Sequence, residues 1–135
     1  SDFSKYVGEF RFVLEQLIQK NNEIGNTIFY LDVSSTINWN NYSSLIKINI
    51  YRILQELLQN VNKYAEAKNC FIGISKMNNN LIVEVKDDGI GFDLKNVSSG
   101  IGINNIKERV KTINADLQIE SDNLEGSRFN ITIKI

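Results

Sequence analysis

Apolar residues recur at Phe3, Tyr6, Val7, Phe10, Val13, Leu14, Leu17 and Ile18, the three- and four-residue spacing that lines one side of a helix. Asn21, Asn22 and Gly25 mark its end. Residues 27–33, Thr-Ile-Phe-Tyr-Leu-Asp-Val, are β-branched and aromatic and predict a strand. A polar connection through Asn38-Trp39-Asn40-Asn41 leads to a second helical pattern over 43–67, with Ser43 or Ser44 as its N-cap. Strands follow at 70–76 and 81–87. Asn78-Asn79-Asn80 between them suits a tight antiparallel hairpin, because asparagine tolerates left-handed backbone. Residues 93–102 carry no period and read as a loop, after which a helix over 103–113 and strands near 116–121 and 128–135 complete the pattern. The last four of about five strands lie close together in sequence, and strict βαβ alternation is missing. The pattern predicts an α+β two-layer sandwich, a mixed but mostly antiparallel sheet covered on one face by about three helices.

At 135 residues the chain has room for one domain with a real core. Its net charge of −1 gives no reason to expect nucleic acid or an anionic membrane surface as a partner. No apolar run approaches a membrane span and no basic-then-apolar leader opens the chain, so this piece is expected to be cytoplasmic and to make no direct membrane contact. The start at Ser1 rather than a methionine predicts an excised fragment. A lone Cys70 excludes an internal disulfide, and its apolar surroundings predict a small buried residue. The absence of histidine removes serine–histidine and cysteine–histidine catalysis, leaves a structural zinc site almost no ligands, and excludes a histidine phosphoacceptor within these residues.

Two patterns carry candidate chemistry. The strand at 81–87 delivers Asp87 and then breaks into Asp87-Asp88-Gly89-Ile90-Gly91-Phe92, with Gly100-Ile101-Gly102 a dozen residues on. Glycine permits close backbone approach, and a carboxylate at a strand end can accept a hydrogen bond from an amino group. On the helix over 43–67, Ile50, Ile53, Leu54, Leu57, Leu58, Val61 and Ala65 share one arc, and Glu56, Asn60 and Lys63 fall on a stripe beside it. Oxygen donors suit magnesium, and a lysine suits a phosphate. Alone, the first pattern equally describes a tight surface turn and the second a solvated helix face. Together they describe a Mg-nucleotide site that uses neither a Walker phosphate loop nor a Rossmann unit.

The order of motifs over roughly residues 45–135 resembles the ATP-binding domain of sensor histidine kinases, within the superfamily that includes gyrase, Hsp90 and MutL ATPases. The matching segments are Gln55-Glu56-Leu57-Leu58-Gln59-Asn60-Val61-Asn62-Lys63-Tyr64-Ala65, the D-x-G-x-G at Asp87, Gly89 and Gly91, the G-x-G at Gly100 and Gly102, and Gly126-Ser127 before the last strand. Tyr-Arg-x-x-Gln-Glu at 51–56 and Gly-Ile-Gly-Ile-x-Asn-Ile-x-x-Arg-Val at 100–110 look most like the nitrate- and desaturase-sensor subfamily, although many of its members have histidine where Tyr64 stands.

The resemblance implies a Bergerat-type ATP-binding fold, with ATP and Mg2+ as cofactors. It assigns Asp87 to the adenine amino group, Asn60 to magnesium, and Glu56 to positioning or activating phosphoryl transfer, with contact to the metal through water. Lys63 is assigned to the phosphates and Tyr64 to the sugar or phosphate chain. Gly89, Gly91, Gly100 and Gly102 are assigned to the lid, the amides of Ile103 and Asn104 to phosphate oxygens, and Ser127 to the adenine pocket. The implied partners are a histidine-bearing dimerisation domain and a response-regulator receiver domain. Residues 1–22 would be a connector or the tail of a dimerisation hairpin, and residues 23–135 the kinase domain, of a parent protein that can itself be membrane-anchored. An anti-sigma-factor-type serine kinase and a nucleotide-sensing pseudokinase are the alternative readings.

Overall fold

The apolar stripes become two of the helices of a computed structural model, which describes residues 9–91, 102–122 and 125–134. Phe3, Tyr6 and Val7 of the first predicted helix, the loop over 93–101 with Gly100, and the end of the last predicted strand at Ile135 lie outside the described residues. Helix α1 (Phe10–Asn22) buries Phe10, Leu14, Leu17 and Ile18. Helix α2 (Ser44–Asn60) buries Ile50, Ile53, Leu54, Leu57 and Leu58. Burial of each such side chain stabilises the fold by roughly 1.5–3 kcal/mol. Ser43 is the N-cap of α2, its hydroxyl accepting from the Ile46 amide at 3.2 Å.

Two local departures from the predicted pattern bear on the site. The helix predicted to reach residue 67 leaves α geometry after Asn60, passes through one π turn over Val61–Ala65, and stops at Glu66 in the left-handed region (φ 51, ψ 39). No glycine or proline marks this stop. Instead the Ala65 carbonyl turns away to accept the Ile90 amide at 2.9 Å. Tertiary hydrogen bonding offsets the strain of a non-glycine residue at positive φ, which costs roughly 1–2 kcal/mol. The polar connection predicted around Asn38 contains a single 3-10 turn, Trp39–Asn41, that buries Trp39 edge-on to Phe10 at 4.8 Å. Its carbonyl accepts the buried Lys47 ammonium at 2.9 Å, and burial lowers the pKa of that lysine.

The strands are β1 (Ile28–Val33), β2 (Asn69–Met77), β3 (Asn80–Asp87), β4 (Ala115–Asp122) and β5 (Gly126–Ile133), with helix α3 (Ile103–Thr112) before β4. They form one sheet in the order β1-β2-β3-β5-β4, in which only the β1–β2 pair is parallel. The predicted α+β sandwich with a mixed, mostly antiparallel sheet is the observed architecture. The β2–β3 hairpin turns through Asn78 and Asn79, both at positive φ (52 and 74), as asparagine allows. At the outer edge of β1, the Asn22 carboxamide pairs with Phe29, accepting its amide at 2.6 Å and donating to its carbonyl at 3.2 Å. This blunts an otherwise open strand edge. Alternation along β3 and β5 turns Val83, Val85, Phe129 and Ile131 inward beneath the helices. Because β5 lies beside β3, Asp87 and Ser127 become register partners at one end of the sheet.

Candidate nucleotide site

A slot of about 200 Å3 opens between the C-terminal part of α2 and the sheet. Leu57, Val61 and Ala65 line its helix side, Val85 and Phe129 its sheet side, and Asn60, Tyr64, Asp87, Gly91 and Ser127 supply its polar and backbone surface. Val85 and Phe129 are neighbours across the β3–β5 ladder, so the apolar floor is a cross-strand pair. The volume falls below the roughly 300–1,000 Å3 of pockets that enclose a whole drug-sized ligand. A flat apolar ring system fits this enclosure, with the polar remainder of a larger ligand lying outside it.

Asp87 is 3% exposed. One carboxylate oxygen accepts the Gly89 amide at 2.9 Å and the other accepts the Ser127 hydroxyl at 2.5 Å. An ionised carboxylate has about four lone-pair sites, so these two bonds leave acceptor capacity for a ligand donor. Cys70 is the register partner of Asp87 on β2 and is fully buried. Burial first, then the negative charges of Asp87 and Asp88, push its thiol pKa far up, which makes it an inert core residue.

Asp88 points the other way. Its carboxylate accepts the Lys68 amide at 2.8 Å, the Asn69 amide at 2.9 Å and the Asn69 carboxamide at 3.0 Å. Asp88 is exposed. What desolvation it undergoes would raise its pKa, but the hydrogen bonds from Asn69 and Lys68 outweigh that effect and hold it below the usual carboxylate value. Gly89 runs directly beneath the Ala65 carbonyl, so a Cβ at that position would overlap a backbone oxygen.

Glu56 is half-buried on α2, and its carboxyl oxygen rests against the bare Cα of Gly102 (φ +76), the residue that precedes α3. No side chain caps α3, and its first intrahelical bond joins the Ile106 amide to the Gly102 carbonyl at 3.1 Å. The first-turn amides, those of Ile103 and Asn104 among them, therefore have no partner within the helix. The Ile103 side chain is buried and that of Asn104 is exposed.

Of the residues singled out in the sequence, Asp87, Ser127, Asn60, Tyr64 and Gly91 line one slot, with Gly89 at its edge. Glu56 and Gly102 meet at the start of α3. Lys63 is exposed on the π turn and lies outside the lining of the slot, and Gly100 lies outside the described residues. Asp88 received no task from the sequence, although it sits inside the D-x-G-x-G stretch. The only available signal was its place directly after Asp87 at the end of β3, where successive side chains of extended backbone point to opposite faces.

The fold is thus a two-layer sandwich with an apolar slot between α2 and the sheet that ends at a buried carboxylate. A family model described as "Histidine kinase-, DNA gyrase B-, and HSP90-like ATPase" matches residues 46–135, and the chain belongs to that family. It is similar to Sensor histidine kinase ComP of Bacillus subtilis (strain 168), at 36% identity over 92 residues, covering 66% of this chain and 12% of ComP. It also resembles Sensor histidine kinase YdfH of the same organism, at 38% identity over 91 residues, covering 64% of this chain and 22% of YdfH. Among solved structures, the blue-light activated histidine kinase EL346 of Erythrobacter litoralis superposes with a TM-score of 0.77 at 20% identity, over 94% of this chain and 41% of that one. At that identity the superposition speaks for the fold alone. The chain spans only 12% to 22% of the length of these two curated relatives.

Proposed function

We infer that this chain is the catalytic ATP-binding part of a bacterial sensor histidine kinase, of the nitrate- and desaturase-sensor type. It binds Mg-ATP and offers the γ-phosphoryl group to a histidine on a dimerisation domain, for onward transfer to a response-regulator receiver domain. Residues 1–22 act as the connector to that domain, and residues 23–135 form the cytoplasmic kinase domain. The observation that carries this reading is Asp87, a buried carboxylate with spare acceptor capacity at the end of an apolar slot. Such a slot takes a purine edge-on: the ring lies between Leu57 and Phe129, and its amino group donates to Asp87.

Asn60 at the slot and Glu56 one turn earlier supply a carboxamide and a carboxylate oxygen on one helical stripe. This hard-oxygen pair fits magnesium, which binds through few protein ligands and keeps several waters. Bound magnesium would supply neutralisation of phosphate charge. The protein's share is positioning: Asp87 and Ser127 orient the base, Asn60 and the exposed Lys63 flank the route of the phosphates, and the first-turn amides of α3, which have no partner within the helix, suit their oxygens.

Titrating the chain with a nonhydrolysable ATP analogue and magnesium, beside Asp87→Ala and Asn60→Ala, tests this. Binding by the wild type that is weakened in both variants is expected. No binding by the wild type, or equal binding by all three, contradicts the reading.

A further inference from the structure

We propose that Asp88 is a positioning residue for the nucleotide slot, an inference that rests on the ATP-site reading above. The slot exists because α2 and its π turn stand at a set distance from β3 and β5, and four of its lining residues, Asn60, Val61, Tyr64 and Ala65, lie where the helix changes geometry and ends. Beyond Ala65 the chain has no further helical hydrogen bonds to hold it. What fixes it against the sheet is the strip 65–69 lying along 88–90.

Asp88 dominates that contact. Its carboxylate accepts three donors from Lys68 and Asn69 at 2.8, 2.9 and 3.0 Å, and its own amide donates to the Asn69 carbonyl at 3.1 Å. One bond further on, the Ile90 amide donates to the Ala65 carbonyl at 2.9 Å. The strip has other ties toward β1, from the Thr27 hydroxyl to the Ala67 carbonyl at 2.8 Å and from the Ile28 amide to the Lys68 carbonyl at 2.9 Å. Those ties hold it to the edge of the sheet. Among the described residues, Asp88 holds it by a side chain to the strand end that carries Asp87. The two consecutive carboxylates thus divide the work: Asp87 faces the ligand, and Asp88, on the opposite face, sets where the helical wall stands relative to Asp87.

Hydrogen bonds to a charged acceptor are the stronger kind, and three converge here. A merely structural contribution would lower global stability and leave nucleotide affinity unchanged at temperatures where the variant is still fully folded. A positioning role moves the affinity itself. The test is calorimetric titration of the 135-residue chain with an adenine nucleotide analogue and magnesium, at a temperature well below the unfolding midpoint of each protein. Asp88→Ala, which removes every side-chain acceptor, is expected to bind on the order of tenfold more weakly than wild type. Asp88→Asn keeps one oxygen for the two backbone amides and is expected to recover most of that loss.

Unchanged affinity in a folded Asp88→Ala overturns the proposal. Equal losses in both variants also overturn it, because they trace the effect to charge rather than to the acceptor geometry. If Asp88→Ala does not fold, Asn69→Ala, which removes the carboxamide donor to Asp88, decides: a twofold or greater weakening is expected, and wild-type affinity overturns the proposal. Failure of the wild type to bind would instead count against the ATP-site reading, so the two failures are distinguishable.

Discussion

Gly89→Ala tests the junction between helix and sheet most sharply. A Cβ at Gly89 would overlap the Ala65 carbonyl oxygen and lie 3.0 Å from Asp87 Oδ1. The obstacle is backbone, which cannot swing aside as a side-chain tip would. Accommodation requires the 65–69 strip to lift, which breaks the 2.9 Å bond from the Ile90 amide to the Ala65 carbonyl. Overpacking a fitted site costs roughly 1–3 kcal/mol. A lost hydrogen bond adds about 0.5–1.5 kcal/mol. The expected loss is therefore about 2–4 kcal/mol, against a typical domain stability of about 5–15 kcal/mol.

Urea denaturation should show a lower midpoint with an unchanged slope, since the surface exposed on unfolding is the same. Gly73→Ala is the control, because a Cβ there meets nothing within 4 Å. It should be neutral, or stabilising by up to about 1 kcal/mol through the unfolded chain. A loss below about 0.5 kcal/mol for Gly89→Ala, no larger than for Gly73→Ala, would refute the close approach of Ala65 to Gly89.

Three further outcomes follow from the same geometry. Gly102→Ala forces a Cβ into left-handed backbone at φ +76, at a cost of about 1–2 kcal/mol, and pushes aside the Glu56 carboxylate; in a Glu56→Ala background urea midpoints should register the strain alone. Because the pKa of Asp88 is lowered by folding, its contribution is complete above the ordinary carboxylate value of about 3.9 and is lost as pH falls through the lower folded value. The stability gap between wild type and Asp88→Asn should thus be full at neutral pH and close in acid, and a gap that persists unchanged to the lowest pH would contradict this. Cys70, buried and with its thiol pKa raised, should resist an aromatic disulfide reagent in the native protein at neutral pH and react at the rate of unfolding.

Much of the architecture was legible because it rests on periodicity. The stripes of α1 and α2, the Asn78–Asn79 turn and the alternation of β3 and β5 each express one local rule. Asp87 was legible because a carboxylate at a strand end followed by spaced glycines is a local pattern too. What the local rules did not reach were features decided by distant partners. Nothing near Asn60 signals the π turn, because it is set by the Ala65 carbonyl bonding to Ile90, 25 residues further along the chain. Trp39 lies in a stretch that read only as a polar connection, and it is buried because α1 brings Phe10 against it. Asp88 could be assigned its role only once Lys68 and Asn69 were seen beside it.

The central claim is that Asp87 reads the amino edge of adenine, and the most direct measurement compares the affinities of the wild-type chain for ATP and for inosine triphosphate, which carries a carbonyl oxygen in place of that amino group. The buried carboxylate would then face an acceptor instead of a donor. An unsatisfied buried polar group costs about 1–3 kcal/mol, so inosine triphosphate should bind roughly 5- to 150-fold more weakly than ATP. Asp87→Ala should narrow that ratio by weakening ATP binding. Equal affinity of the wild type for the two nucleotides would contradict the account.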